Sequence, residues 1–262
     1  LERLSTLLCA YDDQLLQQKP YWEAKYTEAF GALEQQCYAA FVRNAELRRR
    51  IALARAYMNR GAEPDAAAID AQIAQEFREY EEKLRQMEEE RARAAQILGV
   101  KEMSDEDTKR FKHLYRQLAK KLHPDLHPEQ TAEMKKLWQR AMDAYALGDL
   151  AWLEILAAIV ESKYADADTA AAGDRQNVTA FVLEELRAAL AKTEERIRKC
   201  LSALERLEQE HPFKHRALLE NPQAVDEQKT ELKHQIAHYM AECRELEMQL
   251  AMMMQGRVEV LH

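Results

Sequence analysis

Residues 104–125 read SDEDTKRFKHLYRQLAKKLHPD. Ser104 and Asp107 have the spacing of a capping box, which marks a helix start. At about 100° per residue, Phe111, Leu114, Leu118 and Leu122 fall on one face, with Tyr115 beside them. Lys109, Lys112, Arg116 and Lys120 fall opposite, flanked by Arg110 and Lys121. Six cations and no carboxylate lie between positions 109 and 121. Pro124 ends the helix, because it has no N–H and pushes His123 away from the α region. His123-Pro124-Asp125 is therefore expected in an exposed loop that presents an imidazole and a carboxylate. His127-Pro128 follows, and Pro128 suits the first position of a new helix. That helix is expected to carry Leu137, Trp138, Ala141, Ala144 and Tyr145 and to run on through Leu150, Leu153 and Leu156.

The rest of the chain sharpens this reading. Gly and Pro number six each among 262 residues, about 2% apiece, against roughly 7% and 5% in average proteins. Tight turns draw on these residues, so a turn-dense β protein and a collagen-like chain are excluded. Ala, Glu, Leu, Gln, Lys and Arg dominate, and the expected fold is all-α. The formal net charge is −8, which argues against a general nucleic-acid or membrane-surface protein. Cys9, Cys37, Cys200 and Cys243 form no C-x-x-C pair, so reduced thiols in a cytoplasmic protein are expected rather than zinc or disulfides. The best apolar run, Ala151 to Val160, is too short to span a membrane and holds Glu154. Residue 1 is Leu, and the chain is expected to be a fragment or a processed form.

Breakers mark the hinges. A helix over about 66–98 carries Ile69, Ile73, Phe77, Tyr80, Leu84, Met87, Ala94 and Leu98 in heptad-like steps. Upstream, Phe30, Leu33, Cys37, Phe41, Leu47, Ile51 and Met58 form a similar stripe, so the short Gly61–Pro64 loop implies an antiparallel hairpin. Residues 1–19 read as a separate short helix before Pro20. The C-terminal third repeats the design, with Leu186, Leu190, Ile197, Cys200 and Leu204 on one arm and Leu232, Ile236, Tyr239, Cys243, Leu246 and Leu250 on the other. The expected organisation is an elongated chain: an N-terminal coiled-coil hairpin over 1–91, a middle domain over 92–164, a linker over 165–177 and a C-terminal antiparallel coiled-coil hairpin over 178–262.

The middle domain resembles the J domain, the module by which DnaJ-type co-chaperones stimulate DnaK-type heat-shock chaperones. The likeness begins at Ile97-Leu98-Gly99-Val100, continues through Tyr115-Arg116, Leu118-Ala119 and His123-Pro124-Asp125, and ends at Ala144-Tyr145. It covers roughly residues 94–147. Trp138 stands where the family usually has Phe, and Ala94 and Ala95 stand where it usually has tyrosines. A Gly/Phe-rich linker and C-x-x-C zinc modules are absent, so the chain resembles divergent members that share only the J domain.

The resemblance implies a role for each residue. Lys109, Arg110, Lys112, Arg116, Lys120 and Lys121 would meet an acidic surface of the chaperone, which mainly sets orientation and encounter rate. Asp125 would accept charge-assisted hydrogen bonds from a chaperone arginine. His123 would orient the loop and Pro124 would hold its shape. The implied protein is a co-chaperone and not itself an enzyme. Its partners would be a DnaK-type ATPase and a client or partner reached through the coiled coils. The alternative is a coiled-coil scaffold whose J domain is inactive; an intact His123 and Asp125 weigh against it.

The remaining candidates have plainer readings. His234 and His238 have a metal-compatible spacing but no third ligand, and no metal or cofactor is expected. His211 and His215 flank a turn and, like His234 and His238, read as surface histidines. Arg48-Arg49-Arg50 reads as a solvated face among carboxylates. Met252-Met253-Met254 reads as a frayed seam end. No phosphate loop, paired acid–base carboxylates or nucleophile triad is present.

Overall fold

The computed structural model describes residues 1–100, 103–164 and 180–254. The expected linker over 165–177 lies outside the described residues. In chain order the helices are α1 (Glu2–Asp13), α2 (Lys19–Met58), α3 (Ala66–Glu76), α4 (Arg78–Leu98), α5 (Asp105–Leu122), α6 (Ala132–Leu147), α7 (Leu150–Tyr164), α8 (Ala180–Gln209), α9 (Arg216–Leu219) and α10 (Pro222–Met254). The described residues contain no strand, and the fold is all-α. None of the described helices is long and apolar enough to cross a membrane.

The chain forms two compact units. One comprises Leu1–Trp22 and Val100–Lys214, the other Glu23–Gly99 and His215–His262. The division falls at Gly99–Val100, later than the expected boundary after residue 91.

In the first unit, α5 starts where Ser104 accepts from the Asp107 amide at 3.1 Å. Three carboxylates occupy its first turn and Lys120 and Lys121 its last, which complements the helix dipole at both ends. Its apolar face buries Phe111, Tyr115, Leu118, Ala119 and Leu122 against Leu137, Trp138, Ala141, Ala144 and Tyr145 of α6 and Leu153, Leu156 and Val160 of α7. Tyr145 is the hub: its ring stacks on Phe111 at 4.6 Å and on Tyr115 at 3.9 Å between centroids. Burying one such side chain stabilises by about 1.5–3 kcal/mol. Cys9 of α1 joins this core. On its other side α1 packs Leu4 and Leu8 against Cys200 of α8.

Several boundaries differ from expectation. The helix after the His-Pro-Asp loop begins at Ala132, capped by Thr131, not at Pro128. It does not run on through Leu150. Gly148 adopts φ 69° and stops it, and Asp149 caps α7 by accepting from the Trp152 amide at 2.9 Å. Pro20, by contrast, is the second residue of α2, close to the expected helix start, and is reached from α1 through a π-helical turn over Gln14–Gln18. That wider turn accommodates the N–H that proline lacks.

In the second unit, α2 reverses at Gly61, φ 71°, and α3 returns along it, as the expected hairpin requires. Val42, Ile51 and Ala54 bury against Ile69, Ile73 and Phe77, and Arg49 grips Glu76 through two 2.8 Å hydrogen bonds. The single helix expected over 66–98 breaks at Phe77, φ −102° and ψ 4°. The ring is buried in the α2–α3 core with Ile69 and Ile73. α10 lies on α2, with Asn44 donating to Glu242 at 2.8 Å and Met253 in the shared core. The two arms expected to close on each other as a C-terminal hairpin are thus divided between the units: the seam residue Cys200 of α8 packs on α1, whereas Met253 of α10 packs on α2.

Candidate functional site

The site is built where α5 ends. His123 takes φ −66° and ψ 131°, the extended conformation that a following proline demands. Its carbonyl accepts from the Leu126 amide at 3.0 Å and the His127 amide at 2.9 Å. Its Nδ1 accepts from the Asp125 amide at 3.0 Å. Two further carbonyls at the end of α5 are met by side chains: His127 Nε2 donates to Lys120 O at 2.7 Å, and the Gln130 amide donates to Leu122 O. A helix end that leaves such acceptors open costs stability. Here the loop itself supplies partners for the carbonyls of Lys120, Leu122 and His123.

The sequence reading placed the His123 imidazole in the exposed loop, and the structure buries it. The ring is 9% exposed and meets Trp138 edge-on at 4.9 Å. Burial lowers its pKa, and the Asp125 carboxylate opposes this only in part. A neutral ring that accepts at Nδ1 carries its proton on Nε2. His123 is therefore an internal staple of the turn, whereas Pro124 and Asp125 are exposed at its tip.

The six basic residues all lie on α5, but most have internal carboxylate partners. Arg110 pairs with Glu154 at 2.8 Å and Lys121 with Glu161 at 2.8 Å, both on α7. Lys112 pairs with Asp13 at 3.2 Å and Lys120 with Glu2 at 3.9 Å, both on α1. Lys109 and Arg116 are exposed. Arg116 lines a groove with Lys120, His113 and the α1 residues Glu2, Ser5, Thr6 and Cys9.

Three contributors were not read from the sequence. Asp12 accepts from the Tyr115 hydroxyl at 2.9 Å, and Asp13 accepts from the Tyr145 hydroxyl at 2.6 Å. Burial pushes the Asp12 carboxyl up to about 6 despite that hydrogen bond, with the Asp125 charge adding to the rise. Burial also raises Asp13, but donors on Tyr145, Gln18 and Lys112 outweigh it and hold Asp13 below its ordinary value. The Cys9 thiol beneath is pushed up to about 11 by burial and then by the Asp12 charge. The third is Arg196 of α8, whose Nη1 donates to the Asp125 carbonyl at 2.6 Å. Only an adjacent acid pair and a basic residue beside a seam position were visible beforehand, and neither carries a spatial signal.

Elsewhere, Arg48, Arg49 and Arg50 pair with Glu242, Glu76 and Glu46; the first two arginines are solvated as expected, whereas the Arg50 and Glu46 side chains are only 19% and 17% exposed. His238 lies 3.8 Å from Glu242, and the described residues hold no cluster placed to bind a metal. Met253 is buried while Met252 is exposed. Chemically, the site at the end of α5 offers an exposed carboxylate on a bonded turn beside a cationic helix. Such a surface is complementary to one that carries the opposite charges. No family model, no curated protein and no solved structure matches the chain.

Proposed function

We propose that residues 92–164 act as a J domain and that the protein is a co-chaperone, stimulating ATP hydrolysis by a DnaK-type chaperone and catalysing nothing itself. The observation that carries this reading is the exposed Asp125 on a turn braced by His123, directly after a helix with six cations. Lys109, Arg110, Arg116 and Lys120 are the exposed members of that cationic face. The packing of α5 on α6 through Phe111, Tyr115 and Tyr145 supports the helix–loop–helix geometry the reading needs. The long helices outside this segment would supply targeting to a client or partner. The reading includes no nucleic-acid or membrane partner, and it places the protein in the cytoplasm.

Asp125→Asn tests it. The change keeps size and shape while turning a charged hydrogen bond into a neutral one. Charged bonds contribute about 1.5–3 kcal/mol and neutral ones about 0.5–1.5, so coupling falls several-fold or more at about 1.4 kcal/mol per decade. The measurement is single-turnover hydrolysis by a purified DnaK-type chaperone of the same organism. Stimulation by the wild type and its loss in Asp125→Asn, at equal melting temperature, is the expected result. A variant that matches the wild type refutes the mechanism. The scaffold reading has one observation in its favour: Ile97 and Val100, at the start of the likeness, are exposed rather than packed in a core. It takes over if the wild type stimulates nothing.

A further inference from the structure

The loop that would receive a chaperone is already in contact with the protein's own α8. Arg196 donates to the Asp125 carbonyl at 2.6 Å. Leu126, the residue after the His-Pro-Asp tripeptide, packs in the cluster of Leu4, Leu8, Ile197 and Cys200 that joins α1 to α8. The same α1 sets Asp13 against Lys112 and Glu2 against Lys120. One helix pair therefore presents an arginine to the loop and carboxylates to the basic face. These are the charges that an arginine-bearing, acidic partner would bring. Like charges brought to one position repel, so α8 and an incoming guanidinium compete for the surroundings of Asp125.

We propose that the α1–α8 pair is an autoinhibitory strap over the chaperone-docking site, which must release the loop before a partner engages. This regulation rests on the co-chaperone reading. The polar part of the strap is weak, because the Asp125 and Arg116 side chains are exposed and the Lys120 pair lies at the surface, where ion pairs contribute little. Leu126 on the α1–α8 cluster is its apolar part, and α1 itself stays in the core while the loop lets go. A site available for part of the time binds with its affinity reduced by that fraction. The strap therefore raises the concentration needed for stimulation and leaves the maximal rate alone.

The experiment titrates wild type, Arg196→Ala and Arg196→Glu into single-turnover hydrolysis by a purified DnaK-type chaperone of the same organism. Arg196 is not a core residue, and circular dichroism melts verify that all three chains fold. The expected result is a half-saturating concentration lowered about fivefold in Arg196→Ala, at an unchanged plateau, and lowered at least as far in Arg196→Glu. Adding Asp125→Asn to Arg196→Ala removes the stimulation. If the wild type stimulates and both Arg196 variants match it or fall below it, α8 supports the loop instead of covering it, and the strap is refuted while the co-chaperone reading stands. If neither wild type nor variants stimulate, the co-chaperone reading is overturned and the strap with it.

Discussion

Asp12 and Asp13 are neighbours in sequence with opposite fates. Asp12 sits at about 6 in the fold, against about 3.9 in an unfolded chain. Between those values the folded chain holds a proton that the unfolded chain has released, so this residue draws stability down as pH rises from about 4 to about 6. Asp13, held below its ordinary value, stabilises above the unfolded value and loses that contribution as the pH falls through its lower folded value. Asp12→Asn keeps an acceptor for the Tyr115 hydroxyl and removes the costly charge. After discounting for partial exposure, the gain is about 1 kcal/mol at pH 8 and close to zero at pH 4. Urea unfolding at the two pH values measures it. Equal or lower stability at pH 8 would mean that the ionised carboxylate is not a burden there. Neither fate is legible in the dipeptide, because each depends on which tyrosine or lysine the fold brings within reach.

Among the elements, α5 was the most legible. Its cap at Ser104, its stop before Pro124 and its apolar face are all local, and local periodicity identifies them. The junction of α6 and α7 was less so. Gly148 there has φ 69°, and an added Cβ would meet nothing within 4 Å. Any cost of Gly148→Ala is thus backbone strain alone, about 1–2 kcal/mol for a left-handed residue. We expect the melting temperature to fall by several degrees, with Gly148→Asn losing less, since Asn tolerates that conformation better. An unchanged melt for the alanine variant would show that the turn has an unstrained alternative. The break at Phe77 escaped the sequence because its spacing fits a continuous heptad.

On the scale of the molecule, each unit has its own core. Tyr145 is 2% exposed, stacked on two rings and bonded to Asp13, so Tyr145→Ala removes packing and one of the three donors on Asp13 together. Large-to-small changes at buried aromatic sites cost about 3–5 kcal/mol, a large share of the 5–15 kcal/mol typical of a folded protein. Hydrogen exchange should lose protection across α1 and α5–α8 while α3, α10 and residues 23–58 keep theirs. Protection lost evenly from both sets would mean that the chain unfolds as one cooperative body.

From sequence alone came the all-α class, the α2–α3 hairpin, the cap and stop of α5, the basic face and the His-Pro-Asp tripeptide. Each follows from periodicity, breakers or composition within a few turns of chain. The tertiary structure decided the rest: α1 on α5, α8 on α1 and α10 on α2, His123 buried against Trp138, and Arg196 at the Asp125 carbonyl. A heptad stripe states that a helix has an apolar face, but the stripes in this chain are built from similar apolar side chains. Which stripe meets which is set by the sum of packing and charge over whole helices, and no short window of sequence contains that sum.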